Sequence, residues 1–210
     1  QPGVMKGSSN NTKGVDFTMS YRKQRVTVGA NINLTETSGN NSPYGDFSAF
    51  SQANPYYRMT NDDGTYDQIL DNFTAAGSTT VTNPLYNSNI GIKDLQRSLS
   101  IASSLNFEYM ILDNLRLTES LQYTRGTART EKFLPANHTS FANETDKTLK
   151  GSYSKNTGES TSWSSNLGLN YNLPINKHLI SMLANWTVSE DRNNYVNLSA
   201  TGYPDRHMDD

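Results

Sequence analysis

The sequence predicts an all-β chain: about six antiparallel strands in three hairpins, with short turns at one end and long loops at the other. Three observations carry this. Apolar and polar residues alternate with period two in six stretches, the connections between those stretches are by turns short and very long, and nowhere do ~18 apolar residues follow one another as a membrane-crossing helix requires. Short turns at one end and long loops at the other are the pattern of an outer-membrane barrel. Its strands, about ten residues long, cross the hydrocarbon layer at an incline.

The first strand covers 15–21, where Val15, Phe17, Met19 and Tyr21 alternate with Asp16, Thr18 and Ser20. Arg22 to Arg25 reads as a tight polar turn into a strand over 25–36, whose even positions Val26, Val28, Ala30, Ile32 and Leu34 are apolar or small. After a long connection, 37–94, alternation resumes over 97–109 with Leu99, Ile101, Leu105, Phe107 and Tyr109 on one parity. Asp113-Asn114 supplies turn chemistry, and Leu115, Leu117, Leu121 and Tyr123 continue the face over 115–124. A second long connection, 124–162, leads to a strand over 162–171 carrying Trp163, Leu167, Leu169 and Tyr171. The segment 172–177 turns the chain, because Pro174 cannot sit in a central ladder. The last strand, 178–188, places Ile180, Met182, Ala184, Trp186 and Val188 together, with Leu179 and Leu183 making its faces less distinct.

Composition alone points the other way. Of 210 residues only 34% are hydrophobic, whereas Asn, Ser and Thr number 25, 24 and 22, about a third of the chain. Such an average describes a polar soluble domain, and it equally describes a membrane barrel, whose strands dilute every apolar residue with a polar neighbour. A formal charge of -2 argues against a broad basic face for nucleic acid, and the absence of cysteine removes disulfides, thiolate metal sites and thiol nucleophiles. Gln1-Pro2-Gly3 opens no secretory apolar stretch. Tyr21, Tyr109, Tyr123, Tyr171 and Trp163 lie near strand ends, as an interfacial girdle or simple strand propensity would place them. Glu119 falls on the Leu115/Leu117/Leu121 parity, and Ser103 and Ser165 interrupt their own apolar faces. A bulge, a protein-covered face or a different fold of the piece would each account for them.

The order of segments resembles part of the barrel of SusC/RagA-like TonB-dependent outer-membrane transporters. The resemblance rests on the strand Arg25 to Thr37, then Ala53-Asn54-Pro55-Tyr56-Tyr57-Arg58 in a long loop, then the turn Asn61-Asp62-Asp63-Gly64. Asn83-Pro84-Leu85 and the hairpin around Leu112-Asp113-Asn114-Leu115 complete it, and it runs from about Gly14 to Asp205. It implies a Gram-negative outer-membrane protein whose barrel has about 22 strands around a plug. Such a protein imports glycan or peptide fragments with a SusD-like surface lipoprotein lid and TonB as partners. Plug, signal peptide and TonB-contacting segment are absent from this sequence, so the resemblance makes the chain a partial barrel segment.

Chemistry is sparse. His138, His178 and His207 have no metal-ligand or nucleophile spacing, and aligning Gly64 with a calcium loop's invariant glycine puts Met59 at the first ligand position. Asn61 to Asp67 is therefore expected to be a polar turn. The glutamates are scattered, and there is no phosphate-binding glycine loop and no nucleophile elbow. No enzyme, cofactor or metal site is expected. Asn-x-Ser/Thr triplets such as Asn33-Leu34-Thr35 arise by chance in such a composition.

The candidate ligand-binding residues are the loop aromatics Tyr44, Tyr56, Tyr57 and Tyr86 with Arg58, in a segment that also holds Phe47 and Phe50. Aromatic faces with a few polar groups suit sugars and peptides, and the bland counterpart is a small satellite core pinning a long loop. Phe133, Pro135, His138 and Phe141 raise the same choice in the second loop. The alternative to a transporter segment is a soluble β-sandwich, an adhesin-like module binding carbohydrate through these aromatics.

Overall fold

The computed structural model describes residues 5–51, 54–73 and 79–202. The sequence features at Ala53, Asp205 and His207 lie outside the described residues. In chain order the elements are β1 (Ser9–Lys23), β2 (Val26–Asn40), a short helix α1 (Phe47–Ser51), β3 (Ile69–Phe73), β4 (Thr79–Thr82), β5 (Lys93–Leu112), β6 (Leu115–Leu134), β7 (Ser152–Ile175) and β8 (His178–Thr201). Six of the strands form one antiparallel sheet in the order β1-β2-β5-β6-β7-β8, and β3 pairs with β4 apart from it. The sheet is an open meander with β1 and β8 as its edges. A sandwich needs a second sheet across the apolar face, and among the described residues β3 and β4 pair only with each other.

Two-residue turns close the three hairpins at Gln24-Arg25, Asp113-Asn114 and Asn176-Lys177. Gln24 and Asn176 take left-handed φ values of 50° and 52°, the conformation tight hairpin turns demand. The expected turn at 22–25 shrinks because Arg22 and Lys23 stay paired with Thr27 and Val26. Pro174, expected to end a strand, instead sits within β7 opposite Leu179. β6 has its last partner at Tyr171, so the missing N–H removes nothing from that ladder.

At the other end the strands outrun the alternation. The expected loop over 124–162 contracts to residues 135–151, and the one over 37–94 to residues 41–92. Both faces are polar there, so the periodic signal fades while the backbone ladder continues.

Register sorts the side chains into two faces. Phe17, Ile32, Ser103, Tyr123 and Trp163 share one row of the apolar face, and Met19, Ala30, Leu105, Leu121, Ser165 and Val188 share the next. The opposite face carries Thr18, Asn31, Ser104, Gln122, Ser164 and Ser189 in one row. Its amides and hydroxyls bond across strands: Asn31 Nδ2 donates to Thr18 Oγ1 at 2.8 Å, Ser120 Oγ to Asn106 Oδ1 at 2.9 Å, and Asn33 Nδ2 to Asp16 Oδ1. Such pairs satisfy polar side chains laterally and stiffen a wetted wall.

The apolar belt does not follow the hydrogen-bonded rows. It spans Val15 to Tyr21 in β1 and Ile180 to Val188 in β8, yet Val15 is in register with Arg192 and Tyr21 with Trp186. The belt thus slips by about one residue per strand. With ~3.4 Å per residue along a strand and ~4.8 Å between strands, that slip is a tilt of about 35°, the lower end of the range for transmembrane barrels. Nine tilted residues, Ile180 to Val188, stand about 25 Å tall, the height of a barrel's lipid-facing band.

Glu119 is in this belt, opposite Phe107 on β5 and Leu167 on β7. No bulge displaces it, because the β5–β6 register shifts only between Met110 and Leu112. Ser165 donates to its Oε1 at 2.7 Å, so two of the polar interruptions of the apolar face satisfy each other. Ser103 donates to the Tyr123 carbonyl at 3.4 Å.

Candidate functional site

The loop end of the sheet is where the chain departs from regularity, and both long loops fold there as one unit. Asn83 is the anchor. It is fully buried, its Nδ2 donates to the Met59 carbonyl at 2.7 Å, and its Oδ1 accepts the Leu85 N–H at 3.0 Å. Gln68 donates from the first loop to the carbonyls of Asn137 and His138 at 3.0 and 3.3 Å. Asn87 exchanges two bonds with Thr139, 2.6 Å to the hydroxyl and 3.1 Å from the backbone N–H. Side-chain amides fasten these loops because they carry a donor and an acceptor on one short stem.

Beneath the loops, at the top of the polar face, lies a cleft of about 630 Å³. Asp94 and Lys132 are register partners on β5 and β6 and form its charged wall, with Nζ 3.9 Å from Oδ2. Asn41, Asn87 and His138 add polar groups, and Phe47, Ile92 and Leu134 add apolar ones. His138 is fixed in orientation: its Nδ1 accepts the Ser140 N–H at 3.1 Å, and its ring meets Phe141 edge-on at 6.3 Å. Burial, and then the nearby Lys132 charge, hold its pKa below the ordinary imidazole value, so its neutral form is favoured. The cleft therefore presents charges of both signs, amides and an apolar side, a chemistry that suits a zwitterionic, hydrogen-bonding ligand.

The five candidate ligand-binding residues singled out in the sequence do not line this cleft. Tyr44 is half-buried in the adjacent turn, its N–H donating to Ser42 Oγ at 3.1 Å. Tyr56 is 94% exposed. Tyr57 donates its hydroxyl to Asp71 at 3.0 Å, and partial burial followed by Asp71 pushes its pKa up. Arg58 is held within its own loop by Asp62 and by the Thr60 carbonyl. Tyr86 accepts a 3.4 Å bond from Asn137 Nδ2 and so joins the two loops. These five residues are spread along the loop, and Phe47 is the aromatic of that segment that reaches the cleft. Phe133, expected in the second loop, lies at the end of β6, and it and Pro135 are buried. Asn61 to Asp67 is a tight polar turn: Gly64 has φ 82°, and the N–H and hydroxyl of Thr65 both bond Asp63, holding that carboxyl below the usual range.

Sequence reasoning missed Asp94, Lys132 and Asn87. Nothing local distinguishes an Asp or Asn in this composition, and only the register brings Asp94 and Lys132 together.

No family model matches the chain, and no curated protein does. Among solved structures the chain is similar to a RagAB peptide transporter with a TM-score of 0.71 and 15% identity, over 96% of this chain and 22% of that one. It is similar also to the RagAB peptide importer in its open-open state, with a TM-score of 0.67 and 15% identity, over 95% of this chain and 22% of that one. The chain spans about a fifth of the length of the proteins it matches. Its six strands have the fold of a stretch of wall from such a transporter barrel.

Proposed function

We propose that this chain is a barrel segment of a SusC/RagA-like, TonB-dependent transporter in the outer membrane of a Gram-negative bacterium. In the whole protein it lines the path along which glycan or peptide fragments are imported, under a SusD-like lipoprotein lid. The observation that carries this reading is the tilted apolar belt on one face, backed by a continuous polar wall on the other. A sheet with lipid on one side and water on the other needs both. The rim cleft favours peptides over neutral sugars, because Asp94 and Lys132 offer a partner to each end of a zwitterion.

The test is genetic and biochemical. The full-length protein is expected in the outer-membrane fraction, and its deletion is expected to abolish uptake of fluorescent oligopeptides, restored by the wild-type gene. A soluble protein would overturn the barrel reading. Unchanged peptide uptake with lost glycan uptake would overturn the peptide assignment alone.

A further inference from the structure

The polar face has a composition that contact with water alone does not explain. It is bounded by the Asp94–Lys132 pair at the rim and by Glu108 with Arg116, 3.7 Å apart, near the turns. Between them its positions run from Gly29 to Gly39 on β2, from Gln96 to Asn106 on β5, from Thr118 to Thr130 on β6 and from Ser154 to Gly168 on β7. Every one is Gly, Ala, Ser, Thr, Asn or Gln. On the edge strands the same span adds two carboxylates, Asp16, which accepts from Asn33, and Asp191. The alternate positions of the inner strands carry Glu36, Arg97, Arg125, Arg129, Glu131 and Glu159 on the other face. Charge is therefore not scarce in these strands but kept off one side of them. A face that only had to be wet would accept Lys, Glu and Arg, the usual residues of a solvated surface.

Glycine shows the same bias. Gly14, Gly29, Gly39, Gly126, Gly158 and Gly168, the glycines within the six strands, all lie on the polar face. Glycine weakens a strand interior, and it is kept where something approaches the backbone closely. At three of these positions a neighbouring side chain is what approaches. Ser160 Oγ lies 2.9 Å from where a Cβ of residue 126 would stand, the Tyr195 ring 3.1 Å from that of residue 158, and Thr118 Oγ1 2.6 Å from that of residue 168. Side chains there lie along the wall instead of standing out from it. Others bond across strands, as Asn31 does to Thr18 and Ser120 to Asn106. The wall is thus low, neutral and largely self-satisfied.

Such a surface suits a chain that must move along it. A fixed charge holds a ligand of opposite sign and repels one of like sign, whereas passage needs contacts that are weak and many. We infer that an imported peptide moves along this wall, and that the wall's neutrality lets peptides of either net charge pass, leaving recognition to the rim cleft. Ser104, Gln122 and Ser164, one row of the wall level with the apolar belt, are specificity-determining positions by virtue of carrying no charge. The inference rests on the transporter reading above and deepens it.

The test uses cells producing the full-length protein in a deletion background, supplied with two differently labelled oligopeptides of equal length, one rich in Asp and one rich in Lys. Wild-type uptake of the two is expected to agree within about threefold. Gln122→Lys is expected to shift the ratio by about fivefold or more toward the acidic peptide, and Gln122→Glu as far toward the basic one. Ser164→Lys and Ser164→Glu repeat the comparison on the next strand if a Gln122 variant does not reach the membrane. A wild-type preference beyond about threefold overturns the inference, whether or not the variants fold. Unchanged ratios in variants present at normal level overturn it too, as does an equal loss of both peptides in the Lys and Glu variants, which would show the wall packed against a fixed part of the protein. Cells that import neither peptide would sink the transporter reading, whereas import with a strong charge preference would sink only this inference.

Discussion

Replacing Asn83 by Ala is expected to unlock both loops while leaving the sheet intact. The side chain is fully buried and serves two backbone groups, the Met59 carbonyl and the Leu85 N–H, 24 and 2 residues away in sequence. Alanine leaves both without a partner. Each buried group stranded in this way costs about 1–3 kcal/mol, and partial relaxation brings the pair to about 2–4 kcal/mol. At about 1.4 kcal/mol per factor of ten, local opening becomes about 30- to 1000-fold more frequent. Native-state hydrogen exchange of the purified full-length protein reads this directly. Peptides covering residues 54–73, 79–92 and 135–151 should exchange faster by that factor, with β5, β6 and β7 unchanged. Asn89→Ala, at an exposed position two residues from Asn87, is the control and should be silent. An acceleration below about threefold, or one shared by the sheet strands, would refute the anchoring role.

Other consequences follow from the same geometry. Glu119→Leu removes a carboxylate from the middle of the β6 belt and should stabilise the full-length barrel by about 1–3 kcal/mol in urea titrations in thin bilayers; a loss of stability would mean that the face is covered by protein rather than lipid. His138 favours its neutral form in the folded loops, so the unfolded segment binds the proton first as pH falls. The contribution of His138 to loop packing is present above about pH 6.5 and is lost below it. Tryptic nicking between residues 135 and 151 should therefore accelerate from pH 7.5 to pH 5.5, and His138→Gln should flatten that profile. Gly202→Ala would place a methyl group 2.5 Å from the Thr148 carbonyl oxygen at a φ of 84°, so thermal melts should show the β7–β8 end of the sheet loosened by about 1–3 kcal/mol.

How much was legible in the sequence is best seen in one hairpin. Odd positions are apolar in both β5 and β6, yet a two-residue turn at Asp113-Asn114 pairs odd with even positions. The two statements agree only if one residue is extra, and the structure supplies it as a register shift between Met110 and Leu112. Arg25 secures the spot by donating to the Ile111 carbonyl at 3.0 Å and pairing with Asp113 at 2.8 Å. Parity thus held the information for the bulge, but the rim cleft depends on it: counted from the turn without the shift, Asp94 would meet Phe133 rather than Lys132. The strands within the belt were legible because burial on one face forces alternation. Their extensions, as over Thr124 to Leu134, were not, because polar residues occupy both faces over most of their length and alternation there is no longer forced. Asn83 stood out in the sequence only as part of Asn83-Pro84-Leu85; its role as the loop anchor comes from burial, which none of the 25 asparagines announces by its neighbours.

The open edges set the final requirement. Within the belt, β1 from Val15 to Tyr21 and β8 from Ile180 to Val188 each turn about half of their N–H and C=O groups away from the sheet. In hydrocarbon each unpaired group costs several kcal/mol, so the two edges together cost tens of kcal/mol. That exceeds the roughly 5–15 kcal/mol net stability of a typical domain. A sheet of this kind is stable in a membrane only when strands from the rest of a barrel pair with β1 and β8. These 210 residues expressed alone should therefore keep strand circular dichroism in detergent yet fail to insert into vesicles as a heat-modifiable, protease-resistant species. Adding the flanking strands of the full-length protein should restore both properties. A compact six-stranded monomer resistant to protease in a bilayer would refute the edge-pairing requirement and the tilt derived from the belt, because six strands slipping one residue each do not close on themselves around so polar a wall.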